Sequence, residues 1–100
     1  MKINFQSVNF NADSRLIEFA IKKSNKIEHF YDKVLDIFVL TKVENSSNRI
    51  NKFAELIIGI PGKNVVVKKR AKTFEEAIDD AVNCAERILK KKKQKINSYG

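Results

Sequence analysis

One histidine, one cysteine and two adjacent pairs of carboxylates are the groups in this sequence that could do chemistry. His29 is the sole histidine, which excludes a two-histidine metal site or a helical HExxH motif, because both need a second imidazole at fixed spacing. Cys84 falls at the edge of a helical apolar stripe, where a small thiol commonly fills core space. As the only cysteine it can close no internal disulfide, which suits a reducing cytosol. A Cys84–His29 nucleophile pair would have to join residues on separate helices. Glu75-Glu76 and Asp79-Asp80 lie in the first turns of a helix, where carboxylates serve the positive end of the helix dipole more readily than acid–base exchange. Asp79 stands apart from the other three, because it borders the apolar stripe and could order a loop or pair a buried base. Gly59, Gly62 and Gly100 form no phosphate-cradling loop. The sequence therefore predicts no enzyme, no metal, no cofactor and no small-molecule substrate.

What the residues favour is electrostatics. The 100 residues hold 20 Lys+Arg against 12 Asp+Glu, a formal charge of +8, and such an excess points to a polyanionic partner. On a helical wheel Arg15, Lys22 and Lys26 fall along one flank, at i, i+7 and i+11, with Lys23 between that flank and the apolar stripe. In the second helix Arg87, Lys91 and Lys95 repeat every fourth residue, and Lys90 stands close by. The strand before that helix adds Lys68, Lys69, Arg70 and Lys72, and no acid occurs between Glu55 and Glu75. The helix dipole accounts for acids early and bases late in the second helix. It accounts neither for the basic flank of the first helix nor for the basic strand. The set reads as the footprint of a nucleic-acid binder, with both helical flanks facing a common groove. A membrane-surface helix would pair its charges with a wide bulky apolar face, which neither helix has, and no apolar run reaches the ~18–20 residues that span a bilayer.

The elements that must position these charges follow from the periodicity. The length supports one domain, taken as residues 1–95 with 96–100 as a flexible tail. Lys2 to Phe10 alternates with the period of a half-buried strand. Asn11 or Asp13 can cap a helix from Ser14 to about Phe30, its stripe formed by Leu16, Ile17, Ala20, Ile27 and Phe30. Val34–Glu44, Phe53–Ile60 and Val65–Ala71 read as strands, separated by a polar loop at 45–51 and a type II turn at Pro61-Gly62. Thr73 caps the last helix, with Glu76 at the capping-box position, and Phe74, Ile78, Ala81, Ala85, Ile88 and Leu89 form its stripe. The stretch after Lys93 is expected to fray. The order β-α-β-β-β-α predicts an α+β fold, a four-stranded sheet with two helices packed on one face, as in a double-stranded-RNA-binding domain. Phe5, Phe10, Phe53 and Phe74 are assigned to the core. The open face would carry Phe38, Leu40, Lys42, Glu44 and Glu55; the two apolar residues there imply a shifted register or a second partner.

Thr73-Phe74-Glu75-Glu76-Ala77-Ile78-Asp79, followed by Arg87-Ile88-Leu89 and the basic run Lys90 to Lys93, is similar to a motif of the ribosome hibernation promoting factor family, also known as ribosome-associated inhibitor A or sigma-54 modulation proteins. Lys42-Val43-Glu44 and Phe30-Tyr31-Asp32-Lys33 fit the same family, and the resemblance runs from Met1 to about Lys95. It implies a bacterial, cytoplasmic translation inhibitor of stationary phase or stress. Such a protein lies on the small ribosomal subunit between head and body, and blocks the messenger and the A- and P-site transfer RNAs by occlusion. The resemblance assigns rRNA binding to Lys23, Lys26, Lys33, Arg87, Lys91 and Lys93. The helical wheel adds Lys22 and Lys90, and the basic strand adds Arg70. The long family form continues through a linker into a dimerisation domain that joins two ribosomes. A sequence ending at Gly100 is expected to behave as a short form, which blocks the subunit alone or pairs ribosomes with a further hibernation factor. The alternatives are a generic double-stranded RNA-binding module and an adaptor for an acidic protein partner.

Overall fold

The computed structural model describes residues 2–45 and 47–99, with side chains described up to Lys93; the side chain of Lys95 and the whole of Gly100 lie outside that description, and the last helix continues to Tyr99 where the sequence predicts fraying after Lys93. The elements are β1 (Lys2–Val8), α1 (Ser14–Asn25), α2 (Ile27–Phe30), β2 (Asp36–Val43), β3 (Lys52–Ile60), β4 (Lys63–Ala71) and α3 (Phe74–Tyr99). The strands form one sheet in the order β1-β2-β3-β4. β1 and β2 are parallel, and the other two pairings are antiparallel. Parallel neighbours cannot be joined by a hairpin, so α1 and α2 supply the crossover between them. The expected α+β order and the two-layer arrangement are what the chain adopts.

Helices α1 and α3 start where their caps dictate. Asp13, not Asn11, caps α1, its Oδ1 accepting from the Leu16 amide at 2.9 Å. Thr73 Oγ1 accepts from the Glu76 amide at 3.1 Å and starts α3. Each such cap contributes about 1 kcal/mol by satisfying a donor that the helix leaves free. The single helix expected over 14–30 is divided at Lys26. There the Lys26 amide donates to Lys23 O at 3.3 Å and the His29 amide to Lys26 O at 3.1 Å, two i→i−3 bonds that tighten the turn.

Alternation decides which side chains enter the core. Ile37, Val39 and Thr41 of β2, Ala54, Leu56 and Ile58 of β3, and Val65 and Val67 of β4 point to the helical face and are buried. Against them lie Leu16 and Ala20 of α1, Ile27 of α2, and Ala77, Ile78, Ala81, Ala85 and Leu89 of α3. Alanines at every fourth position let α3 lie close to the sheet. Each fully buried Ile or Leu here is worth about 1.5–3 kcal/mol, and Leu56→Ala would cost roughly 2–5 kcal/mol. Thr41 is the polar member of the inner row, and its Oγ1 donates to Gln6 O at 3.1 Å.

Pairing extends slightly past the strand ends, with the Leu35 amide on Gly59 O and the Glu44 amide on Asn51 O, so the expected 34–44 strand differs only in its termini. Pro61 and Gly62 close the β3–β4 hairpin between the paired residues Ile60 and Lys63. Gly62 has φ 86°, the positive value that the third position of a type II turn requires.

Phe53 is buried as expected, at 7% exposure, on the open sheet face and apart from the cluster under the helices. In register it pairs with Lys42 on one side and Arg70 on the other, and the Arg70 guanidinium carbon stands 4.9 Å from its ring centroid. Its burial comes from that cationic lid. Phe38 and Leu40 do fall on this face in the expected register, half-buried, opposite Ile57 and Glu55. No register shift is involved.

Candidate nucleic-acid interface

Lys23 Nζ lies 3.0 Å from Asp79 Oδ1, and this contact fixes how α1 and α3 face each other. Residues three, four and seven apart share a helix flank. Asp79 therefore turns toward α1 in company with Glu86, Lys90 and Lys93, while Lys23 turns toward α3 with Phe19 and Lys26. At roughly 100° per residue Arg87 and Lys91 lie about 80° and 120° round α3 from Asp79, so they point less directly at α1 than Lys90 does.

What gathers the bases is the direction of the helices. β1, β2 and β4 run the same way; α1 returns between the first two, and α3 folds back over β3 and β4. The two helices therefore run alike, with their N-termini at one end of the molecule and their lysine-bearing halves at the other. Lys22, Lys26 and Lys33 (on the turn after α2) and Arg87, Lys90, Lys91 and Lys93 belong to the segments that lead toward that second end, and all seven are exposed. The 26 residues of α3 extend roughly 39 Å at 1.5 Å per residue, longer than any strand beneath. Leu89 is its last buried residue among those described. Lys90, Lys91 and Lys93 follow it and are exposed.

Pairing separates these bases into two sets. Lys22, Lys26, Lys33, Arg87, Lys91 and Lys93 form no ion pair among the described residues. Lys90 Nζ is 2.9 Å from Glu86 Oε1, one turn earlier, and Lys23 is held by Asp79. Arg70 lies elsewhere, on the open sheet face. Its Nε donates to Glu44 Oε1 at 2.6 Å and its Nη2 to Oε2 at 3.4 Å. The bond from Arg70 holds the Glu44 carboxyl below the usual carboxylate range, and the same bond pushes the guanidinium up. The structure does not bring Arg70 together with the helical bases.

Sequence spacing could have signalled Glu86 opposite Lys90, four residues apart. The same spacing could have signalled Phe19 beneath Lys23, whose Nζ is 5.6 Å from the ring centroid, whereas nothing local signals Glu44 opposite Arg70. The groups considered for catalysis stay apart in role: His29 is exposed in α2, and Cys84 is half-buried against the core from α3. Among the described residues no group of three His, Cys, Asp or Glu could hold a metal ion, and no helix is long and apolar enough to cross a membrane.

Residues 3–97 match the family described as Sigma 54 modulation protein / S30EA ribosomal protein. A ribosome hibernation promoting factor from Pseudomonas putida is 28% identical over 98 residues, covering 98% of this chain and 92% of that protein. The protein of that name from Escherichia coli K12 is 23% identical over 99 residues, covering 99% of this chain and all of its own length. Among solved structures, a ribosomal subunit interface protein from Coxiella burnetii superposes with a TM-score of 0.82 at 19% identity, over 94% of this chain and 99% of that one. The N-terminal domain of Protein Y from Thermus thermophilus superposes with a TM-score of 0.74 at 22% identity, over 90% and 93% of the two chains. These two likenesses establish the fold.

Proposed function

The chain belongs to the sigma-54 modulation protein / S30EA ribosomal protein family, and from that premise we propose that it is a ribosome hibernation factor of the bacterial cytoplasm. In this reading it binds the small ribosomal subunit in the channel for messenger and A- and P-site transfer RNA, and stops translation in stationary phase or stress by occupying that space. The family match across residues 3–97 is the observation that carries the reading.

The mechanism needs no bond to be made or broken. Lys22, Lys26, Lys33, Arg87, Lys91 and Lys93 are exposed cations of α1, α3 and the turn after α2, suited to rRNA phosphates. Each contact releases a counterion and contributes about −0.7 to −0.9 to the log–log salt slope. Six such contacts would weaken binding by roughly 10³ or more between low and moderate salt. Phosphate contacts fix position without reading bases, so the shape of the subunit supplies the address. Lys90 can join the set once it exchanges Glu86 for a phosphate. Arg70 is left out, because Glu44 already neutralises it on the other face.

The test is cosedimentation with purified small subunits. Lys26→Glu with Lys91→Glu is expected to abolish it while the circular dichroism spectrum stays that of the wild type; a folded double variant that still cosediments overturns the proposal. A preference for a plain RNA duplex over intact subunits would favour a generic double-stranded RNA module. A ribonuclease-resistant partner would favour a protein adaptor. Sucrose-gradient profiles with and without the protein separate subunit blocking from ribosome pairing.

A further inference from the structure

We propose that Lys23 is a positioning residue of the RNA-binding face and not one of its phosphate contacts, with Asp79 as its counterpart on α3. The premise is the small-subunit interface proposed above. Lys23 belongs by sequence to the basic flank of α1, beside Lys22 and Lys26, yet its surroundings differ from theirs. Its side chain is 26% exposed, whereas its two neighbours are exposed. Its ammonium group meets a carboxylate at 3.0 Å and the face of Phe19 at 5.6 Å. To reach a phosphate it would have to give up both contacts and leave Asp79, 45% exposed, as an unpaired acid facing RNA.

The pair joins two separate elements. Helices α1 and α3 bring most of the exposed bases, and their relative placement sets the spacing between Lys22 and Lys26 on one helix and Lys90 and Lys93 on the other. Small residues lie near this junction on the core side: Ala20 and Ser24 of α1 and Ala81 of α3 are fully buried. Small side chains leave few long contacts to resist sliding of one helix along the other. A polar tie at the outer edge of such a junction adds a fixed point to the register of the two helices. Occupation by Asp79 also removes one positive charge from the surface that meets RNA, so the contact number is set by the remaining bases.

Charge-conserving double variants test this, because they leave the net charge at its wild-type value. Small-subunit affinity is measured against salt concentration for the wild type, Lys26→Met, Lys23→Met with Asp79→Met, and Lys23→Ala with Asp79→Ala. Lys26→Met is expected to lower the magnitude of the salt slope by about 0.7–0.9, the value of one contact. The Met pair, which bridges the helices with apolar chains, should keep the wild-type slope and affinity. The Ala pair, which removes the bridge, should keep the slope while affinity falls about 2- to 5-fold, the range for a partly exposed ion pair. A Met pair whose slope drops as in Lys26→Met makes Lys23 a phosphate contact and overturns the inference. An Ala pair that binds like the wild type makes the tie idle and overturns it equally. Failure of the wild type to bind small subunits, or a Lys26→Met slope equal to that of the wild type, would instead count against the interface itself.

Discussion

Arg70 and Glu44 are bonded across two strands that do not touch. Glu44 directly follows β2 and Arg70 lies on β4, with β3 between them. The guanidinium spans the gap by lying over Phe53 of the intervening strand while its Nε donates to Glu44 Oε1 at 2.6 Å. A cation, an aromatic ring and a carboxylate thus close one corner of the open sheet face.

The bond to Arg70 depresses the Glu44 pKa, and the sign of its effect on stability follows. A carboxylate with a lowered folded-state pKa stabilises the fold above its unfolded pKa, and that contribution is lost as pH falls through the folded value. Arg70→Met should therefore raise the Glu44 titration midpoint, followed by NMR of its side-chain carboxyl, toward the ordinary carboxylate value. The stability difference between wild type and variant should shrink as the solution is acidified below that range. An unmoved midpoint would show that the bond does not form in solution. The same variant should leave the salt slope for small subunits unchanged, since Arg70 faces away from the helical bases.

Phe10, in the loop after β1, stacks on Phe74, the first residue of α3, with ring centroids 4.4 Å apart and an interplanar angle of 14°. Lys52 Nζ stands 5.9 Å from the Phe74 ring. The stack fastens the β1–α1 loop to the start of the last helix, joining residues far apart in sequence. A double-mutant cycle of Phe10→Leu and Phe74→Leu, read by chemical denaturation, should give a coupling of about 0.5–1.5 kcal/mol. Additive single effects would mean that the rings do not interact.

Gly62 carries the positive φ of the β3–β4 turn, and no atom lies within 4 Å of where its Cβ would be. Space is therefore free, and backbone conformation alone sets the penalty. Gly62→Ala should destabilise by about 1–2 kcal/mol, whereas Gly62→Asn should be milder, because asparagine tolerates the left-handed region. Equal stability of all three in thermal denaturation would place this turn in another class.

Much of this architecture is legible because its signals are local. The alternation Ile37, Val39, Thr41, the caps Asp13 and Thr73, and the Pro61-Gly62 turn each sit within a few residues of what they determine. What covers Phe53 is not legible in the same way, because Arg70, which lies over its ring, arrives from another strand through pairing. The basic residues were legible as types but not as an arrangement. A helical wheel knows its own axis and not where its neighbour lies, so only the Lys23–Asp79 contact reveals which flank of α3 faces α1. Asp79 could be singled out because it borders the stripe, but its partner could not be read from spacing.

Ser24 offers a substitution expected to strengthen the fold. It is completely buried on the inner side of α1, and its Oγ has no hydrogen-bond partner among the described residues. A buried hydroxyl without a partner forfeits its bonds to water, at roughly 1–3 kcal/mol, and serine is also a poorer helix former than alanine. Alanine fills nearly the same volume, so Ser24→Ala leaves little cavity. The variant should gain about 1 kcal/mol in urea denaturation, with an unchanged m-value as the sign that the folded and unfolded surfaces are the same. A loss of stability would mean that the hydroxyl is bonded in solution, the carbonyl of Ala20 one turn earlier being within the usual reach of a helical serine.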